Sequence, residues 1–528
     1  LTSSVAALVA LLSGLLLDVA IATRYGAGSR SDAFFAASRI PIGLTALITS
    51  VASVAWVPLF TRDRRDNGPA SMTQFASRML SAVTLAGLVL CALATTFAHP
   101  LMHATAPGLN PSEVSLAASM VPAMFLVVPL VAAAEAVRAA LNASFSFVLP
   151  AAMNLFMNGL AAAMVLSRSG HDVRRVAWAY VAGAAFQLLV ISTVAFAQGV
   201  HIGLSWRIGD PRVRAASGLS TRPTVSSLLN LANRLVEQGI ASFLPAGSIT
   251  VLSYSQRLIS AVGGGIFFRP ITVALLPRLS AAEHAGDRRA VTALVHRAIK
   301  VAIAISVPLT VFTVALATPT VRLVFHRGNF SQHSAHLLAV TLAVYGASLV
   351  GSGVQRVLLA PFYARLDTRT PLRNTFYGVV VDLVLLVPCV LAFGLHSSNG
   401  LIGVAIAYSI TQYYIVWHAG WRLRGWVDLK IGAIAGYVAR FAVASAASIG
   451  VMLALVEQLH LDTKSGRMYL LVGTAGVAVA GVLTLGLVAL ILGLSLDRSI
   501  PDKTPDVPRR RRFGSGRHRK TDSARINV

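Results

Sequence analysis

Apolar stretches near twenty residues long alternate with short clusters of Gly, Pro and charged residues from Val5 to Leu494. A run of about twenty apolar residues is what an α-helix needs to cross a bilayer. Cutting the chain at those clusters predicts helices at about 4–23, 32–59, 72–98, 113–139, 147–166, 176–199, 224–244, 248–277, 301–320, 335–363, 375–394, 401–421, 431–456 and 468–494. The expectation is an all-α polytopic membrane protein of about fourteen transmembrane helices. An even number puts both termini on one side. The first segment lacks the basic flank and small-residue cleavage site of a secretory leader, so it reads as helix 1.

The pattern repeats. Residues 21–60 laid on 240–279 without a gap agree at nine positions, among them Ile21/Ile240, Gly28/Gly247, Ser29/Ser248 and Pro58/Pro277. Six helices separate the copies, so the repeat is parallel. It predicts two six-helix lobes, 1–200 and 224–425, joined by a cytoplasmic linker at 201–223. Two further helices at 426–494 and a basic, disordered tail at 495–528 follow. Lobes of this kind enclose a midplane cavity and rock against each other.

Composition narrows the class. The chain is 55% hydrophobic and 12% charged, with a mean hydropathy of +0.70. Soluble domains carry about 25% charged residues, so a soluble enzyme is excluded. The net charge of +25 would suggest nucleic acid in a soluble protein. Here the cations sit between hydrophobic segments and at the C-terminus, and membrane topology explains them without a nucleic acid. Placing both termini in the cytoplasm gives eighteen Lys/Arg on inner loops against nine on outer loops, and ten more in the tail. That bias fixes the orientation. The tail, with Arg509 to Arg512 in a row, suits anionic lipids of the inner leaflet and offers cell-wall synthesis proteins a surface as a second role. Cys91 and Cys389 lie in apolar segments, and the sequence carries no nucleotide-binding, metalloprotease or nucleophile-elbow motif. A transporter is expected rather than an enzyme.

Charges inside apolar segments are expensive and mark function by default. Arg39, Arg234, Arg257 and Arg269 are such charges, and guanidinium forks suit an anionic pyrophosphate. The alternative for Arg39 and Arg269 is snorkelling from a helix end. Asp32 follows the first outer turn, where it competes with Ser31 for an N-cap role. Glu237 and Asp382 stand alone in two apolar stretches and read as a cation site, against a local Glu237–Arg234 pair. Gly263, Gly264, Gly265 and Pro270 mark a hinge or a close helix contact.

Several stretches resemble the MurJ (MviN) lipid II flippases of the multidrug/oligosaccharidyl-lipid/polysaccharide exporter superfamily. They are Gly26-Ala-Gly-Ser-Arg-Ser-Asp32-Ala-Phe-Phe35 with Pro41, Trp56-Val-Pro58, Tyr254-Ser-Gln-Arg257, Leu276-Pro277, Val324-Phe-His-Arg-Gly328-Asn-Phe330, and Arg356 to Tyr363 through Pro371. They keep family order over roughly the first 420 residues. The resemblance implies a flippase that turns a polyprenyl-pyrophosphate-linked glycan from inner to outer leaflet by alternating access. It makes Asp32 and Arg257 essential positions and implies Na+ or membrane-potential coupling at Glu237 and Asp382, with no other cofactor. Leu11, Leu17 and Thr45 replace three family arginines. That departure favours an exopolysaccharide or other lipid-linked oligosaccharide flippase, or a non-transporting scaffold, as alternatives to lipid II.

Overall fold

The computed structural model describes residues 2–167, 170, 172–205, 210–266, 268–429, 431–461 and 466–494. The basic tail at 495–528 lies outside them. The described residues are helical throughout, with no strand among them. In the first half lie α1 (Thr2–Tyr25), α2 (Ser29–Val51), α3 (Val57–Asn67), α4 (Pro69–Thr96), α5 (Ala98–Thr105), α6 (Pro111–Ala143), α7 (Val148–Ser167) and α8 (Arg174–Ala197). In the second lie α9 (Pro211–Ala241), α10 (Ser248–Ser260), α11 (Arg269–His284), α12 (Arg288–Ala315), α13 (Ala317–Val324), α14 (Gln332–Gly346), α15 (Ser348–Ala364), α16 (Arg369–Phe393) and α17 (Gly400–Leu423). The last pair is α18 (Ile431–Gln458) and α19 (Arg467–Ile491). A π-helical segment, Ala52–Trp56, joins α2 to α3, and a second, Ala261–Ile266, follows α10. Eleven helices among the described residues are long and apolar enough to cross a membrane. With α1, α9 and the pair α10 and α11 they are compatible with the fourteen expected.

In one group α1 packs on α7, α2, α4 and α8 pack on α6, and α7 packs on α8. In the other α10 packs on α14, α12 on α15, α15 on α17, and α16 on both α9 and α17. The two meet where α2 touches α9 and α10, and α18 and α19 pack on each other and on α12. Residues 1–494 form one compact unit. Lipid offers helices no hydrophobic drive to associate, so close backbone approach at small residues does that work. A Cβ on Gly183 would lie 2.3 Å from the Met157 carbonyl oxygen, between α7 and α8, and one on Gly403 would lie 2.5 Å from that of Cys389, between α16 and α17.

Two helix starts differ most from the apolar pattern: the helix expected from about 301 begins at Arg288, where the Asp287 side chain accepts from the Ala290 amide at 2.9 Å. The helix expected from about 224 begins at Pro211, because Asp210 caps it by accepting from the Arg212 amide at 2.8 Å and Pro211 occupies the first turn. Hydropathy registers only the buried part of such a rod.

Candidate functional site

The seam between the two groups is built from the turns that the repeat picked out. Gly28 and Gly247, equivalent in the repeat, are the N-caps of α2 and α10. A Cβ on Gly247 would lie 3.0 Å from the Ala27 carbonyl oxygen, and Gly247 has a φ of +97°, so the site favours glycine twice over. Ser31 bonds back to the Gly28 amide at 2.9 Å, which leaves Asp32 free of its own helix. The Asp32 carboxylate instead accepts from the Gly247 amide at 2.6 Å, the Thr250 amide at 2.8 Å and the Thr250 hydroxyl at 2.6 Å. It therefore caps α10 of the opposite group. An anion at a helix N-terminus meets both unsatisfied N–H groups and the positive end of the helix dipole. The loop after α13 closes over the same turn: the Asn329 amide donates to the Thr23 carbonyl at 2.9 Å, and its side-chain amide to the Arg24 carbonyl at 2.6 Å.

Two arginines cross this seam. Arg39 of α2 donates to Gln238 at 3.0 Å, Gln256 at 2.9 Å and Ser253 at 3.1 Å, all on α9 or α10. Its partners are neutral, so its charge is solvated by dipoles without being cancelled. Arg257 of α10 forms an ion pair with Asp18 of α1, and its guanidinium sits 5.4 Å from the Phe35 ring centroid. Asp32 and Arg257 thus lie on opposite sides of the seam, each held by a partner from the other group. Asp18 is the residue that the sequence reading passed over. Its signal is plain in retrospect: a lone acid after Leu15-Leu16-Leu17, inside an otherwise apolar helix.

Within the second group, α9, α10, α14, α15, α16 and α17 enclose a cavity of 540 Å³. Glu237 and Asp382 line it and are brought together by Asn233, whose amide donates to Glu237 at 3.1 Å and to Asp382 at 2.9 Å. Gln256 donates to Glu237 at 2.5 Å, and Thr411 to Asp382 at 3.2 Å. The local Glu237–Arg234 pair does not form among the described residues. Arg234 lines the cavity instead. Gly263, Gly264 and Gly265 fall in the second π-helical segment, and α11 starts just beyond, at Arg269 and Pro270. A Cβ on Gly263 would lie 2.8 Å from Leu349, so close packing is observed at the same place. The side chains of Arg269 and Pro270 lie outside the described part of the chain.

Apolar rods in two groups, with buried charges gathered at and beside their seam, define a polytopic membrane transporter fold. Among solved structures, the chain is similar to an inward-facing multidrug resistance MATE transporter of the MOP superfamily (TM-score 0.67, 17% identity, 81% of this chain and 95% of that one). It is also similar to a lipid II flippase MurJ in an inward closed conformation, with a TM-score of 0.75 and 19% identity over 93% of this chain and 98% of that one. The chain belongs to the lipid II flippase MurJ family, whose model matches residues 21–472. It is 27% identical over 414 residues to the lipid II flippase MurJ of Burkholderia cenocepacia, covering 76% of this chain and 80% of that one. To the probable lipid II flippase MurJ of Vibrio cholerae it is 26% identical over 501 residues, 92% and 93% of the two chains.

Proposed function

We propose that this protein moves lipid II, a polyprenyl-pyrophosphate-linked peptidoglycan precursor, from the inner to the outer leaflet of the bacterial cytoplasmic membrane by alternating access. The observation that carries this reading is the charged seam. Asp32 and Asp18 of the first helix group hold α10 and Arg257 of the second, and Arg39 reaches across to the neutral side chains of Gln238, Gln256 and Ser253. Moving the groups apart exchanges those contacts, and a passing pyrophosphate is an alternative partner for Arg39 and Arg257. The Lys/Arg bias supports cytoplasmic termini, and in that orientation the seam at the α1–α2 turn seals the outer side.

Coupling to a cation is part of the same proposal. Glu237, Asp382 and Thr411 supply oxygen ligands, and the buried Asn233 Oδ1 has no hydrogen-bond partner among the described residues. An all-oxygen set with one acceptor left over suits a hard ion such as Na+. Those residues would hold the ion, and its charge would offset the two carboxylates.

The test is complementation of a strain depleted of its own lipid II flippase, scored by survival and by the accessibility of lipid II at the outer leaflet. Rescue is expected, and Asp32→Ala and Arg257→Ala should each abolish it. A well-expressed wild-type protein that fails to rescue would move the cargo to another lipid-linked glycan, the direction in which Leu11, Leu17 and Thr45 point. Rescue by Arg257→Ala that depends on an intact basic tail would mark a scaffold.

A further inference from the structure

The cavity in the second helix group holds more than the acid pair. Arg234 of α9 and Arg356 of α15 also line it, and neither makes a hydrogen bond or ion pair among the described residues. Both residues are solvent-accessible and line this cavity. Two unpaired guanidinium groups beside two carboxylates are an unusual furnishing for a helix bundle. A structural role would pair them directly, as Arg257 pairs with Asp18 and Arg138 with Glu135. Left apart, each pair needs a ligand of the opposite sign.

The volume fits one. At 540 Å³ the cavity is several times larger than a lone ion needs, and it falls within the range of about 300–1,000 Å³ typical of small-molecule sites. Tyr363 and Thr375 add hydroxyl groups to its wall. A polar wall suits a phosphorylated sugar and disfavours a prenyl chain.

We propose that this cavity is a second anion site, in which Arg234 and Arg356 take a pyrophosphate while a monovalent cation occupies the Glu237–Asp382 end. The cavity sets two guanidinium groups beside two carboxyl groups. A bound cation adds positive charge at the carboxyl end, and the anion then enters a site that attracts it more strongly. Linkage makes the effect reciprocal, so the anion tightens the cation equally. The identity of the pyrophosphate as part of a lipid-linked glycan rests on the proposed function. The site itself rests on the cavity alone.

The experiment is equilibrium binding of radiolabelled inorganic pyrophosphate to the purified full-length protein in detergent, in NaCl and in choline chloride at equal ionic strength. Saturable binding is expected, several-fold tighter in Na+. Arg356→Gln should weaken it about tenfold or more, and Arg356→Lys should recover part, because it keeps the charge and loses the fork. Asp382→Asn should tighten binding and remove the preference for Na+. A short-chain prenyl pyrophosphate should compete. Unchanged binding by an Arg356→Gln variant that melts like wild type would overturn the site, even if the protein rescues the depleted strain. Arg356-dependent binding without rescue would keep the site and dismiss lipid II as cargo. Failure of the prenyl compound to compete would overturn the lipid-linked source.

Discussion

Asp32 is a capping residue displaced by more than two hundred positions from the helix it caps. A charge-assisted hydrogen bond is worth about 1.5–3 kcal/mol, and a helix N-terminus adds up to about 2 kcal/mol for a well-placed, partly buried anion. Asp32→Asn should therefore cost about 2 kcal/mol, and Thr250→Val should cost less once Asp32 is already gone. A double-mutant cycle read by thermal unfolding in detergent measures this: a coupling of about 1–2 kcal/mol is expected, and simple additivity would refute the contact. Arg257 stood out in the sequence because isolated charges in apolar segments are rare, and Asp32 because of the family resemblance of the turn before it. Thr250, which bonds Asp32, did not: it gains meaning only from a tertiary contact, and no periodicity reports which of two helix groups a side chain will reach.

At the scale of elements, the first break in the helices is tied to a buried polar cluster. Beside the first π-helical segment, Thr49 donates to Glu135 at 2.8 Å, and Arg138 pairs with Glu135 while donating to Ser53 at 3.1 Å. Arg138 thus bridges α6 to the point where α2 changes pitch. Glu135→Gln leaves that arginine buried without its counter-charge and should cost about 3–5 kcal/mol, with Arg138→Met recovering much of the loss in the double variant. A melting temperature that ignores Glu135→Gln would show that the pair carries no load. The start of α9 makes a second such cluster outside the membrane. Burial works against the charge of Asp210, but bonds from Arg212 and Arg78 outweigh it and hold the carboxyl at about 2, below its ordinary value of 3.8. Its folded pKa is depressed, so its stabilisation is present above about pH 4 and is lost as pH falls toward 2. Thermal unfolding followed from pH 6 to 3 should fall less steeply in Asp210→Asn than in wild type. The apolar pattern located the rods well, because bilayer thickness dictates their length. It missed this polar extension, whose logic is capping and ion pairing.

For the whole molecule, the decisive claim is that the two helix groups part at the α1–α2 turn during each cycle. The structure supplies a direct lock. Ala27 Cβ lies 3.5 Å from where a Cβ on Gly247 would stand, at the short edge of the separation that a disulfide requires. Ala27→Cys with Gly247→Cys therefore places a redox-controlled bond across the seam, in a background where Cys91 and Cys389 are replaced by serine. The positive φ at Gly247 will cost about 1–2 kcal/mol, so the reduced double variant is the proper reference. Under oxidising conditions the cross-link should form and lipid II should stay inaccessible at the outer leaflet; reduction should restore accessibility. Transport that continues through a fully oxidised seam would mean that the outer side opens elsewhere, and the contacts of Asp32 and Asp18 would then be fixed structure rather than a gate. The same repeat that was legible as nine matching residues makes this test available, because it brings two equivalent turns back to back where a single bond can hold them.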